Sequence, residues 1–466
     1  YDAIQIIIEK FIYLKTILAI ISLMTIYALS SGPGIAGISV IRVSGQGTKE
    51  VISKLTNNKL PIPRTATRRK FIKINKNEVI DEGILIWFPA PHSYTGEDMA
   101  EFHVHGSKAV VDAMHMSISN IDGCRLAEPG EFTKIAFQNE KINLLEAESV
   151  ADLISSETEI QRQQAIKIMS GKSSEKFNYL RDKLLKILSN VEAKIDFPEE
   201  DLPENILRGI HQGIKSIREE IDQILDDQKV GERIREGFKI AIIGPTNAGK
   251  SSLLNYLSKR EVSIVSETAG TTRDVIETHI NLDGYPVIIS DTAGIRESKD
   301  EIEKKGIKLA LKSAENADLN LVVVEPKSVD IKGFLTNDLS KNAIIVVNKM
   351  DLGVDKFNSE IKKYDPIYIS IKEEKNLDKL INVVKEYLKN KFISSEDIFI
   401  TRQRHRFNLE QCVKNLKNFE KKKLGKDFDK AAEDLRLATR YLGMIVGKVD
   451  VEEILGSIFS DFCIGK

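Results

Sequence analysis

The stretch Phe238-Lys-Ile-Ala-Ile-Ile-Gly-Pro-Thr-Asn-Ala-Gly-Lys-Ser-Ser-Leu-Leu-Asn255 constrains the fold more than any other part of this sequence. Its apolar run, Ile240 to Ile243, predicts a buried parallel strand. The chain then passes through a glycine-bearing turn and leaves as a helix, with Leu253, Leu254 and Leu257 at helical spacing. A strand that feeds a helix through G-x-x-x-x-G-K-[ST], here Gly244 to Ser251, is built to hold a phosphate chain. Glycine lets backbone N–H groups close around the phosphates, Lys250 brings a point charge to the outer ones, and the Ser251 hydroxyl can ligate Mg²⁺. Asn247, Ala248, Gly249 and Ser252 complete the nucleotide-facing loop.

Two further apolar strands end in polar signatures. Val287-Ile-Ile-Ser-Asp-Thr-Ala-Gly294 closes on Asp291, where a carboxylate near Mg²⁺ belongs, followed by Thr292, Ala293 and Gly294, whose N–H can face a γ-phosphate. Ala343-Ile-Ile-Val-Val-Asn-Lys-Met-Asp351 closes on N-K-x-D, with Asn348, Lys349 and Asp351. The Asp351 carboxylate can accept hydrogen bonds from guanine N1–H and its 2-amino group, a pair adenine cannot supply. In this order, at strand ends, these motifs resemble the G domain of translation-factor-type GTPases. The resemblance implies a further base-side segment at Ser370, Ile371 and Lys372.

At 466 residues the chain has room for about three domains. A hydrophobic content of 42% supports folded cores, and a net charge of −1 says nothing in favour of bulk coating of nucleic acid; if RNA is bound, it is bound locally. The three cysteines, Cys124, Cys412 and Cys463, lack metal-ligand spacing and fit a reducing, cytoplasmic compartment. Ile6 to Leu23 is apolar but carries Lys10 and Lys15, which is short for a membrane span and lacks a signal-peptide cleavage site. We expect Met24 to be the natural start, residues 1–23 to be a non-native extension, and no membrane partner.

Strands are expected over Ile35 to Val43 and Gly83 to Phe88, and His103 and His105 share one face of a third. Without a third ligand nearby, those histidines suit packing or hydrogen bonding better than a metal. Helices are expected near Pro129 to Phe137 and over Leu144 to Ile154. Two long helices follow, one striped by Phe177, Leu180, Leu184, Leu188, Val191 and Ile195, the next by Ile206, Ile210, Ile214, Ile217, Ile221 and Ile224. Helical patterning returns over Phe407 to Phe419 and Ala431 to Val446, so the GTPase module reads as an insertion in a helical domain. Arg402, Arg404, Arg406, Lys414, Lys417 and Lys421 to Lys423 read as a basic surface, either a solvated helix face or an RNA or partner contact.

The chain closes with Phe462-Cys-Ile-Gly-Lys466. Together with Arg42-Val-Ser-Gly45, Thr95-Gly-Glu-Asp98, Pro129-Gly-Glu-Phe132, Gly270-Thr-Thr-Arg-Asp274 and Asp291-Thr-Ala-Gly294, this end resembles the MnmE (TrmE) family of tRNA-modification GTPases from Met24 to Lys466. The resemblance implies a multidomain α/β plus all-α fold. Residues 24–141 would be a folate-binding and dimerising α/β domain, and 142–236 and 392–466 the two parts of a helical domain. Residues 237–391 would be the inserted P-loop G domain. It implies a homodimer that, with an FAD-dependent partner (MnmG, also GidA), adds a (carboxymethyl)aminomethyl-type group at C5 of the wobble uridine of certain tRNAs. The one-carbon unit would come from 5-formyl- or methylenetetrahydrofolate. By position, Arg42, Glu101, Lys141 and Lys466 match the family's folate contacts; salt bridges and a strand-edge charge are the other roles open to them. Cys463 matches a position where a thiol could act as nucleophile or approach the one-carbon unit, and a buried structural cysteine is equally compatible.

For hydrolysis, Ile295 stands where many GTPases carry a water-orienting Gln, and the resemblance implies Glu303 in that role. It also implies K⁺ held by Asn247, Ser266, Thr268 and Thr271, with Thr272 joining Ser251 around Mg²⁺. Three positions depart from the family pattern: Ile371 in place of Ala, Ile135 in place of Arg, and Glu140 where Gly or Asp is usual. The alternative from another class is a ribosome-assembly type GTPase switch that binds RNA without modifying it, which would not need the folate-like positions or the F-C-I-G-K end. A membrane-tethered GTPase is a third reading and depends on residues 1–23.

Overall fold

The structure, a computed structural model, describes residues 24–74, 76, 78–196, 204–260, 263–264, 276–291, 313–326, 342–352, 361–392, 398–422, 428–449, 455–456, 458–459 and 462–465. The chain divides into two compact units, one formed by residues up to 151 together with 446–466, the other by 152–445.

In the first unit, β1 (Thr25–Leu29), β2 (Ala36–Ser44), β3 (Thr67–Ile72), β4 (Val79–Phe88), β5 (Met99–Gly106) and β6 (Cys124–Leu126) form one sheet in the order β3-β4-β5-β2-β1-β6. Successive strand residues face opposite sides. Ile41 and Val43 of β2 and Ala100, Phe102 and Val104 of β5 therefore enter the core with helices Thr48–Thr56 and Lys108–Ser119, where Val51, Ile52, Leu55, Met114 and Ile118 meet them. The residues between them, Arg42, Glu101 and His103, belong to the opposite face, and the antiparallel register pairs Arg42 with Glu101. On that side Ile26 and Ala28 of β1 pack with Ala127 and Phe132, and a further cluster joins Leu144 and Ala147 of helix Leu144–Ile154 to Leu455, Phe459 and Phe462. The chain's last segment thus closes the unit that its first strands begin.

The second unit holds a sheet in the order β13-β12-β11-β7-β10-β9-β8, from β7 (Phe238–Ile243), β8 (Ser263–Ile264), β9 (Ile276–Leu282), β10 (Tyr285–Asp291), β11 (Leu319–Val324), β12 (Ala343–Val347) and β13 (Ile367–Tyr368). β7 lies between β10 and β11 and is parallel to both, as its unbroken apolar run requires. Helices Lys250–Arg260 and Leu377–Phe392 bury Leu253, Leu257, Leu380 and Val384 with one face of this sheet. The two long helices are Lys172–Asp196 and Glu204–Leu225, and the striped positions Phe177, Leu180, Leu184, Val191, Ile214, Ile217 and Ile221 are buried. Helix Glu159–Met169 starts on a capping box, Thr158 with Gln161.

Of the basic surface expected over 402–423, Lys414, Lys417 and Lys421 are exposed, Lys423 lies outside the described residues, and the three arginines turn inward. Arg402 pairs with Asp152 at 2.7 Å, Arg404 donates to the carbonyls of Met444 and Ile445, and Arg406 is buried between Glu232 and Asp227 at 2.7 and 2.6 Å. These guanidiniums fasten helix Gln403–Glu420 to its neighbours, because each finds a carboxylate or helix-end carbonyl inside the unit. No described helix is long and apolar enough to cross a membrane.

Candidate functional site

The nucleotide site sits at the carboxyl end of the parallel strands. Gly244 follows β7 at φ +143, and a Cβ there would lie 2.0 Å from the Val323 carbonyl oxygen. Gly249 is at φ +98, where a Cβ would meet Asn348 Nδ2 at 2.2 Å. No larger residue fits either place. Lys250 opens the following helix, is 9% exposed, and donates to the carbonyls of Gly244 at 2.9 Å and Pro245 at 2.8 Å. The loop thus cradles its own ammonium where outer phosphates are expected. Asn247 is exposed at φ +64, and Ser251 and Ser252 are exposed at the helix start.

Asn348 ties this loop to the base side. It is 3% exposed; its Nδ2 donates to the Ala248 carbonyl at 2.9 Å, and its Oδ1 accepts from the Ile371 amide at 3.2 Å. The Ser370 hydroxyl donates to Asp351 Oδ1 at 2.7 Å and holds that carboxyl below its ordinary pKa, so Asp351 stays ionised as a hydrogen-bond acceptor. Lys349 pairs with Glu325, and Lys372 is exposed. The side chain of Ile371 packs against the apolar cluster behind the sheet. The backbone of Asp291 ends β10, parallel to Ile242. Ser266, Thr268, Thr271, Thr272, Thr292, Ala293, Gly294 and Glu303 lie outside the described residues.

A second constellation lies in the other unit. Arg42 donates from Nε and Nη2 to the same Glu101 oxygen at 3.2 and 2.9 Å, and its guanidinium lies 5.5 Å from the ring of Tyr94 and 5.7 Å from that of Phe132. The chain's end joins them. The Gly465 carbonyl accepts from Ser30 Oγ at 2.9 Å and from Arg42 Nη1 at 3.5 Å, Ile464 bridges to Pro129, and the Gly130 amide donates to the Cys463 carbonyl at 3.4 Å. Cys463 is exposed, which removes the reading of a buried structural thiol. Lys466 is outside the described residues. Lys141 is exposed, and its stem passes within 2.8 Å of where a Cβ on Gly96 would be. Ile135 packs beside Ile26, Ala28 and Phe132, and Glu140 takes φ +54, a conformation that explains why glycine suits this position. Glu97 was not singled out from the sequence beyond its motif. It accepts from Ser44 at 2.9 Å, and burial pushes its carboxyl above the ordinary range. His105 pairs with Asp81 at 2.8 Å, and His103 lies 3.6 Å from Glu101.

A family model described as "MnmE helical domain" matches residues 144–463, and one described as "GTP-binding protein TrmE N-terminus" matches 25–141. The tRNA modification GTPase MnmE of Pelagibacter ubique (strain HTCC1062) is 71% identical over 443 residues, covering 95% of this chain and 100% of that protein. The chain belongs to the MnmE family of tRNA modification GTPases. The MnmE of Rickettsia bellii (strain RML369-C) is 45% identical over 447 residues, with 95% and 100% covered, and that of Paramagnetospirillum magneticum 44% over 443, with 95% and 99%. Family membership makes the P-loop site a GTPase site. In that site Lys250 is held between two loop carbonyls, Gly244 and Gly249 sit where a Cβ has no room, Asn348 joins Ala248 to Ile371, and Ser370 holds Asp351.

Proposed function

We propose that this GTPase, as a homodimer and with an FAD-dependent partner, adds an aminomethyl-type group at C5 of the wobble uridine of certain tRNAs in the cytoplasm. A reduced folate would supply the one-carbon unit. The observation that carries this reading is the meeting of Arg42, Glu101 and the Cys463–Gly465 end in one place. A GTPase acting as a bare RNA switch has no use for such a site. The residues fit a folate chemically. Glu101 is an acceptor held by Arg42, suited to the N–H edge of a pterin, the half-buried ring of Tyr94 lies nearby, and Lys141 and Lys466 suit the glutamate tail. When bound, the folate would supply the one-carbon unit; these side chains would orient it and keep its polar edge paired.

In the nucleotide site, Ser251 and Thr272 would hold Mg²⁺, and Asn247 with Ser266, Thr268 and Thr271 would hold K⁺. Glu303 would orient the attacking water. Equal hydrolysis rates in Na⁺ and K⁺ at matched ionic strength would remove the K⁺ assignment. The decisive experiment is nucleoside mass analysis of tRNA from cells lacking this chain, combined with calorimetric titration of the purified protein with 5-formyltetrahydrofolate. Loss of the C5 substituent and measurable folate binding are expected. Unchanged wobble uridine would overturn the reading.

A further inference from the structure

Residues 59–77 hold seven cations, Lys59, Arg64, Arg68, Arg69, Lys70, Lys73 and Lys76, and no Asp or Glu, in a chain of net charge −1. The fold concentrates them on β3, the outermost strand of its sheet, and on the segments flanking it. Lys59, Arg64, Arg68, Lys70 and Lys76 are exposed. Facing β4 and the turn before it answer with Glu78, Asp81 and Glu82, so seven cations meet three carboxylates over 59–82 and a surplus of four remains. Two of the three carboxylates are engaged at the surface, Glu82 with Arg68 at 2.9 Å and Glu78 with Lys73 at 2.8 Å, while Asp81 is taken by His105. Exposed pairs of this kind are worth little and exchange readily. Among the described residues, no ion pair engages Lys59, Lys70 or Lys76.

Charge on an edge strand also discourages edge-to-edge pairing. That purpose is met by Arg68 and Lys70 and does not call for Lys59, Arg64 and Lys76 outside the strand. Arg68 and Lys70 lie on one face of β3, spaced by roughly 7 Å, since a strand advances about 3.3 Å per residue. Cations held apart on one strand face can each meet a different phosphate of one RNA strand. We propose that this basic edge is a docking surface for an RNA phosphate backbone, and that the RNA is the tRNA substrate; the second part rests on the modification reading above. Such contacts position the nucleic acid and leave base recognition to other residues.

The test is tRNA binding by the full chain across a salt series, comparing wild type with the triple variant Lys59→Gln, Lys70→Gln, Lys76→Gln. Removing three cations should lower the slope of log affinity against log salt by about 2 to 3, at roughly 0.7–0.9 per phosphate contact, and weaken binding at least about tenfold near 0.15 M salt. GTP hydrolysis without RNA and the unfolding temperature should not change. A control variant, Lys362→Gln, Lys363→Gln, Lys379→Gln, removes three exposed lysines of the G domain and should keep the wild-type slope. An unchanged slope in the first variant, or an equal loss in the control, overturns the proposal. If the wild type binds no tRNA even at low salt, the docking surface falls, while the nucleoside analysis still decides the modification reading separately.

Discussion

Replacing Gly465 by Ala should detach the chain's end from β1. Gly465 sits at φ +97, and a Cβ there would lie 2.2 Å from the Leu29 carbonyl oxygen and 2.8 Å from the Ser30 Cα. Both obstacles are backbone, so no rotamer relieves them and the segment must lift. A non-glycine residue at such a φ costs about 1–3 kcal/mol. Lifting also loses the hydrogen bond from Ser30, worth about 0.5–1.5 kcal/mol, whereas the 3.5 Å contact from Arg42 is too long to add much. The sum, about 2–4 kcal/mol, lowers the docked population by roughly thirty- to several-hundred-fold at 1.4 kcal/mol per decade. Hydrogen exchange of a peptide spanning 458–466, with limited proteolysis of the same segment, reads this directly. Gly456→Ala is the matched control, because a Cβ there meets nothing within 4 Å. If the Gly465→Ala protein kept the protection of wild type and control, the reasoning from this close approach would be refuted. On the proposed function, affinity for 5-formyltetrahydrofolate should fall with the docked population.

Asp351→Asn replaces an acceptor pair with a mixed donor and acceptor, so guanine nucleotide affinity should drop by at least about tenfold in a fluorescent-nucleotide titration, from roughly 1.5–3 kcal/mol for hydrogen bonds to a charged group. Arg406→Met leaves Glu232 and Asp227 buried without their guanidinium, which should cost about 3–5 kcal/mol in denaturant unfolding. Burial raises the folded-state pKa of Glu97, so the native state binds this proton more tightly than the unfolded chain and its contribution to stability is lost as pH rises through that pKa. Glu97→Gln should therefore stabilise the protein at neutral pH, and the gain should vanish in acid. Equal gains at both pH values would contradict this. Alkylation at neutral pH should label Cys463 first, because burial pushes the Cys124 thiol up to about 11 and Cys412 is fully buried.

The parallel strands β7, β10 and β12 were legible because each is a pure apolar run that ends in a polar motif with its own chemistry, and the two long helices because their stripes keep one period. β1 was not: Thr25-Ile-Tyr-Ala-Leu29 follows the apolar run Ile6 to Leu23 with no turn signal between them. Charge patterns misled around Arg404, since a guanidinium reads as surface until its partners, 40 to 250 residues away in the chain, are known. The pairing of Arg42 with Glu101 depends on strand register, which alternation alone leaves open. The docking of Cys463 to Gly465 beside it depends on a contact between opposite ends of the chain, which no local pattern records.

That contact also sets an order of assembly. The unit containing residues 152–445 is contiguous and can form as soon as it has been synthesised, whereas the other is interrupted by it. A ribosome that stalls or terminates before Gly465 releases a molecule whose nucleotide module is whole and whose Arg42 lacks its carbonyl neighbour. Such truncated copies would still bind and consume nucleotide without any access to the second constellation, so nucleotide turnover alone is a poor measure of how much intact protein a preparation contains.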